Sequence, residues 1–136
     1  MTYPELQFIL AEAREKSLIT TGTAETYYTN GINANLDYYR SIVPASYGIS
    51  LTLPVDYFTQ PAIAYTGTQA EKLTKIGTQK WVALVFNGLE AWFDWRRTNI
   101  PALLPGASNL NDDLIPVRYI YPQVEQSLNA ANRTEA

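Results

Sequence analysis

Ile76-Gly77-Thr78-Gln79-Lys80-Trp81-Val82-Ala83-Leu84-Val85-Phe86-Asn87-Gly88-Leu89-Glu90-Ala91-Trp92-Phe93-Asp94-Trp95-Arg96-Arg97-Thr98 is the stretch on which the reading of this chain turns. It holds all three tryptophans of the 136 residues and closes on the only adjacent pair of basic residues. Leu73, Gly77, Trp81, Leu84, Gly88, Trp92 and Trp95 recur at steps of three and four, the period of a helix with one buried stripe. A helix is expected from near Gln69 to Asn87. Because the stripe continues past Gly88, either one helix kinks there or two short helices abut.

Upstream, Thr2-Tyr3-Pro4-Glu5 has the Thr-x-x-Glu form of a capping box, with proline in the first turn where its missing N–H costs little. Leu6, Ile9, Leu10 and Ala13 follow at helical spacing, which predicts a helix from about Pro4 to Leu18 with those residues inward. Thr20-Thr21-Gly22-Thr23 breaks it, and a second helix, N-capped by Thr23, runs to about Ile42 with Tyr28, Ile32, Asn35/Leu36 and Tyr39 on its buried face. Gly31 and Ala34 leave room for a neighbouring helix. Two antiparallel helices joined by a tight turn form the hairpin from which tetratricopeptide-like arrays are built, and one such hairpin needs neighbours to cover its faces. From Val43 to Thr68, prolines and glycines predict loop, with at most a short helical turn around Val55–Phe58. Gly106 to Asp113 reads as a polar turn and Leu114 to Tyr121 as extended chain or a short strand. A short final helix starts within Tyr121–Glu125, and the tail from Asn129 to Ala136, with its chance Asn132-Arg133-Thr134 sequon, is expected to fray.

Composition removes several classes of chemistry. With neither histidine nor cysteine, the chain has no Ser-His-Asp or Cys-His nucleophile system, no zinc site of the usual ligands and no disulfide. No cofactor or metal is expected. A net charge of −3 with scattered basic residues argues against a nucleic-acid partner, which needs a concentrated basic face. No run of about 18 apolar residues exists to span a membrane. The opening Met1-Thr2-Tyr3-Pro4-Glu5 has neither the basic start nor the small-residue cleavage site of a signal peptide.

Lys72-Leu73 with Ile76, then Thr78-Gln79-Lys80-Trp81, then Asn87-Gly88-Leu89-Glu90-Ala91-Trp92-Phe93-Asp94-Trp95-Arg96-Arg97-Thr98 resembles the signature of the SusD/RagB family, surface-exposed, glycan-binding outer-membrane lipoproteins of Bacteroidetes. Leu6 to Ala13 followed by Tyr28-Thr29-Asn30-Gly31-Ile32 is similar to the hairpin that precedes this signature. Asp56-Tyr57-Phe58 with Gln60 to Tyr65 resembles a loop-helix segment of one subgroup, and Ile115-Pro116-Val117-Arg118-Tyr119 with Tyr121-Pro122, Glu125 and Asn129 resembles the closing segment. The resemblance implies a mainly α fold of tetratricopeptide-like hairpins with long irregular loops: one partial SusD-like domain, the C-terminal portion of a longer protein. Residues 4–42 would be the hairpin, 43–68 the loop region, 69–98 the signature helices, and 99–136 the extended closing segment with its short helix. It also implies a glycan ligand, a SusC-like TonB-dependent transporter as partner, and membrane contact only through a lipid-anchor cysteine that this sequence lacks.

Each candidate site residue has two readings. Trp81, Trp92 and Trp95 could stack on sugar rings, yet three indoles on one helical stripe beside Leu73 and Leu84 fit core packing better. Glu90 and Asp94 could be glycosidase carboxylates, but a retaining pair faces itself across the sugar at about 5 Å, whereas neighbours on one helix face point the same way. Asp94 with Arg97 is more simply an i,i+3 ion pair, and Trp92 with Arg96 a cation–π contact. Arg118 could meet an acidic partner or clamp Glu90/Asp94, and its bidentate chemistry favours the clamp. Tyr47, Tyr57, Phe58 and Tyr65 lie on loops, where binding residues concentrate, or fold back to seal the helices. Three functions follow: a non-enzymatic SusD-like glycan-capture protein; a tetratricopeptide-type interaction module with a groove lined by Tyr27, Tyr28 and Tyr39; and, least supported, a small carboxylate glycosidase.

Overall fold

The computed structural model of the chain describes residues 1–134, which divide into two compact units at Ala102/Leu103; Glu135 and Ala136, the end of the expected tail, lie outside the described residues. The first unit contains four helices: α1 (Tyr3–Glu15), α2 (Ala24–Ile42), α3 (Gln69–Ala83) and α4 (Gly88–Thr98). Among the described residues no strand forms, so the mainly α expectation holds.

The helix starts follow from the capping chemistry. At α1 the Glu5 amide donates to Thr2 Oγ1 (3.3 Å) while the Thr2 amide donates to Glu5 Oε2 (3.0 Å), so two orphan donors are satisfied at once. Thr68 and Glu71 repeat the device at α3, and Thr23 caps α2 by accepting from the Thr26 amide. The stops are set by backbone conformation. α1 ends at Glu15 rather than Leu18 because Ser17 turns left-handed (φ 58°) and the Leu18 amide returns to the Ala13 carbonyl at 2.8 Å, a helix-closing turn usually made with glycine. α2 gives way at Val43, held extended before Pro44. Between α3 and α4 two helices abut, with the Asn87 amide donating to the Leu84 carbonyl at 2.7 Å.

The core is Phe8 and Ala11 of α1, Tyr28 and Ile32 of α2, and Ile76 of α3. The inward face of α1 therefore differs from the expected stripe. Phe8 and Ala11 are buried while Ile9 is 36% exposed, and Leu6, Leu10 and Ala13 are only half-buried. The helix is apolar around most of its circumference, so period alone does not choose the face. What does is Gly31, which presents bare backbone to the Phe8 ring: a Cβ there would lie 2.7 Å from Phe8 Cζ. The expected α2 face is buried at Tyr28 and Ile32 and half-covered at Asn35, Leu36 and Tyr39.

The long connection from Val43 to Thr68 is irregular apart from single 3-10 turns at Ala45–Tyr47 and Tyr57–Thr59. It is strapped to the helices by polar contacts. The Tyr28 hydroxyl donates to the Ile63 carbonyl (2.9 Å), the Tyr65 hydroxyl donates to Glu15 Oε2 (2.7 Å), and Lys75 Nζ donates to the carbonyls of Ala64 and Thr66.

In the second unit, Asn109 and Asn111 both donate to the Leu114 carbonyl and so close the expected polar turn. Leu114 to Tyr121 forms no strand. Two short helices follow, α5 (Glu125–Leu128) and α6 (Ala130–Thr134), so most of the tail expected to fray is helical.

Gly31→Ala is predicted to destabilise the chain by about 1–3 kcal/mol, the range for overpacking a filled core, as measured by urea unfolding. An unchanged midpoint would show that the Phe8 ring yields freely.

Candidate functional site

The signature residues meet where α4 packs on α3 and reaches α1 through the Arg97 side chain. α4 places Asp94 and Arg97 one turn apart, α3 supplies Lys80, and α1 supplies Glu12 and, one turn on, Lys16. Lys80 Nζ donates to Asp94 Oδ1 at 2.7 Å, both side chains at most 10% exposed. Arg97 donates to the same oxygen at 2.9 Å and forks onto both Glu12 oxygens at 2.6 and 2.7 Å; Lys16 adds a 2.6 Å contact to Glu12. The two carboxylates are thus shared among three cations. The Arg97 fork and Lys16 hold the Glu12 carboxyl well below its ordinary range, at about 2, against the opposing effect of burial. The same fork raises Arg97.

This arrangement rules on the carboxylates. Asp94 accepts from two cations through one oxygen, and Glu90 is exposed on α4; the facing, water-activating geometry of a glycosidase is not built. The expected Asp94–Arg97 ion pair is present and, within the first unit, Lys80 and Arg97 clamp Asp94; within the second, the Arg118 guanidinium lies 4.3 Å over the Tyr121 ring. Lys80 and Glu12 were assigned no role from sequence. A lysine at an inward position of an apolar stripe was the available signal, since lysine is rarely buried unpaired.

The indoles divide. Trp95 is buried and its Nε1 donates to the Pro101 carbonyl at 3.1 Å, whereas Trp81 and Trp92 are only half-buried. Packing holds fully for Trp95 and in part for the other two. Arg96 lies 4.6 Å over the Trp92 ring, as its i,i+4 spacing predicts. The loop aromatics divide as well. Tyr65 packs 5.2 Å from Tyr28, and its hydroxyl is raised by burial and by the Glu15 carboxylate it donates to. Tyr57 is half-buried and reaches Gln79 at 3.5 Å. Phe58 stands edge-on to Tyr57, and Tyr47 points outward, 69% exposed. The structure does not bring the four into one platform: two of them seal the loop against the helices. Tyr28, expected on a peptide groove beside Tyr27 and Tyr39, is buried in the core.

The four helices form a helical-hairpin scaffold whose signature charges Lys80, Asp94 and Arg97 pair with one another and with Glu12, and comparison with known proteins gives the family. A family model described as "Starch-binding associating with outer membrane" matches residues 1–122; the chain belongs to this SusD-like family. Among solved structures it is similar to a SusD-like protein, "Bacteroidetes AC2a SusD-like", with 30% identity and a TM-score of 0.79 over 99% of this chain and 26% of that one. It is also similar to a SusD homologue from Bacteroides ovatus ATCC 8483, with 25% identity and a TM-score of 0.69 over 97% of this chain and 32% of that one. The chain therefore spans about a quarter to a third of the length of these structures. Comparison with curated protein sequences yields no match.

Two predictions follow from the charge network. Asp94→Ala strands Lys80 as a buried charge without its partner and should cost about 3 kcal/mol in urea unfolding; combining Asp94→Leu with Lys80→Met should recover most of that loss. An Asp94→Ala chain as stable as the parent would show that Lys80 finds water instead. The second concerns pH. Glu12 binds its proton less tightly folded than unfolded, so its contribution is complete above its ordinary value of 4.5 and is lost as pH falls from there towards 2. Discounted for the exposed flank of Arg97, that contribution is about 1–2 kcal/mol. Arg97→Ala should flatten this acid limb of the stability curve; an unaltered limb would assign it to other carboxylates.

Proposed function

We propose that this chain is part of a non-enzymatic carbohydrate-capture protein of the outer-membrane surface, which holds oligosaccharide for a SusC-like TonB-dependent transporter. The observation that carries this reading is the family match across residues 1–122, a family described as starch-binding and associating with the outer membrane. The site chemistry supports it. The signature carboxylate Asp94 is committed to Lys80 and Arg97, so α4 serves as a strut that orients helices rather than as a source of general acid or base. Aromatic faces and neutral amides remain at the surface, and these are the groups that take sugar: the apolar C–H face of a pyranose covers an aromatic ring while amides exchange hydrogen bonds with its hydroxyls. A tetratricopeptide-type peptide groove is less well supported, since Tyr28 is consumed by the core.

The chain is expected to be retarded in affinity gels containing starch or a related plant or mucin glycan, and to release no reducing sugar from them on prolonged incubation. Hydrolysis of any glycan in the panel would overturn the non-enzymatic reading. Absence of retardation in every gel would overturn carbohydrate binding by this chain.

A further inference from the structure

The first turn of α1, the C-terminal half of α2 and the α3–α4 turn enclose a cleft of about 140 Å³ that takes no part in the charge network. Its distinctive walls are Asn35, Tyr38, Tyr39, Phe86 and Asn87, over a floor that includes Leu84, and no residue lining it is charged. The aromatic wall is continuous: Tyr38 stands edge-on to Tyr39 at 5.4 Å, and Tyr39 meets Phe86 at 6.2 Å. Folding leaves much of this wall wet, with Phe86 87% and Tyr38 53% exposed. Within this chain these rings lie open to contact beside a concavity.

The polar groups decide what kind of contact. Asn87 is the N-cap residue of α4, yet its side chain makes no capping hydrogen bond. Neither its side-chain amide nor that of Asn35 bonds another described residue, and the Tyr38 and Tyr39 hydroxyls are equally unengaged. Burial raises the Tyr39 phenol, so it stays a neutral donor. The amide donors at the start of α1 do not invite an anion, because the Thr2–Glu5 box already occupies them. An apolar peptide would leave these amides and hydroxyls unpaired, at a cost in affinity. A charged sugar would be desolvated with no counter-charge to meet.

We infer that the cleft is a subsite for one neutral hexopyranose ring of a longer glycan, which stacks its C–H face on the Tyr38–Tyr39–Phe86 wall and pairs adjacent hydroxyls with the Asn35 and Asn87 amides. Each amide offers both a donor and an acceptor, the complement of two neighbouring hydroxyls. The volume is below the roughly 300 Å³ at which drug-sized pockets begin, which suits one ring of a chain whose remainder stays in solvent. The inference rests on the carbohydrate-binding reading above and assigns it to residues outside the loop aromatics.

The test is calorimetry on the whole chain with neutral malto-, cello- and manno-oligosaccharides and with an acidic oligogalacturonide, alongside Asn35→Ala, Asn87→Ala, Phe86→Ala, Tyr47→Ala and Phe58→Ala. The three cleft variants are expected each to weaken binding of a neutral oligosaccharide by about tenfold, with thermal unfolding unchanged and the two loop variants near parent affinity. In nitrogen-15 NMR, the side-chain amide signals of Asn35 and Asn87 should shift on titration, a readout independent of any variant's folding. Parent affinity in the cleft variants, with those signals unmoved or with the loss falling on Tyr47→Ala or Phe58→Ala, would overturn the subsite and leave glycan binding standing. Preference for the acidic ligand would also overturn it. A chain that binds none of the sugars removes the subsite and the carbohydrate reading together.

Discussion

The contact on which the helical unit depends is the buried pair between Lys80 and Asp94, 2.7 Å apart with almost no access to solvent. Two charges withdrawn from water contribute little net stability beyond their mutual compensation, but they punish any geometry that separates them. That penalty fixes the rotation of α4 relative to α3 at a junction where the helices share few other contacts. Arg97 then extends the constraint to α1 by forking onto Glu12, and Lys16 completes it. A single chain of charge from α3 through α4 to α1 sets the angle at which the signature helix lies.

With α4 so placed, the indoles acquire their roles from position. Trp95 points where Pro101 offers a carbonyl and becomes core. Gly77 lets Ile100 press onto α3, since a Cβ there would come within 2.7 Å of Ile100 Cγ2. The hairpin is held separately by Phe8 against Gly31. Tyr28 links it to the long loop, buried against Phe8 and Tyr65 while its hydroxyl pins the Ile63 carbonyl. A loop of this length would otherwise contribute little but entropy; strapped at Ile63, Ala64, Tyr65 and Thr66, it acts as a fourth wall of the core.

How much of this could be read from the sequence depends on the range of the interaction concerned. Capping boxes and breakers act within four residues, and the starts at Thr2 and Thr23, the division near Gly88 and the irregular run from Val43 to Thr68 were all legible. So was the Asp94–Arg97 pair, one helical turn apart. The inward face of α1 was misread because Leu6, Phe8, Ile9, Leu10, Ala11 and Ala13 cover most of the helix surface, and Gly31, more than twenty residues away, makes the choice. The stop after Glu15 was missed because Ser17 takes a left-handed conformation usually given to glycine or asparagine. Glu12 and Lys80 were silent for the same reason as Gly31: their partners on α4 are distant in sequence, and no local pattern announces a contact of that separation. The loop aromatics carried a true ambiguity, resolved towards packing for Tyr57 and Tyr65 by the partners they reach.

What separates scaffold from ligand surface in this chain is the accounting of polar groups, not the placement of aromatic ones. Aromatic rings occur in the core, on the loop and beside the cleft, so their presence discriminates nothing. Around α4, every charged group of the Lys80–Asp94–Arg97–Glu12–Lys16 chain has a partner at 2.9 Å or less, so these groups act first as ties between helices. Beside Tyr39 the balance is reversed: Asn35 and Asn87 keep their amides free although Asn87 occupies a position where capping would use one. Asn87, turned out of the extended cap conformation (ψ 67°) by the tight α3–α4 turn, makes no capping bond and leaves its side-chain amide to solvent or to a ligand. Donors and acceptors left open beside exposed rings are what a sugar could use, and in this unit that description fits the proposed Tyr38–Phe86 cleft rather than the tryptophan-bearing signature helix.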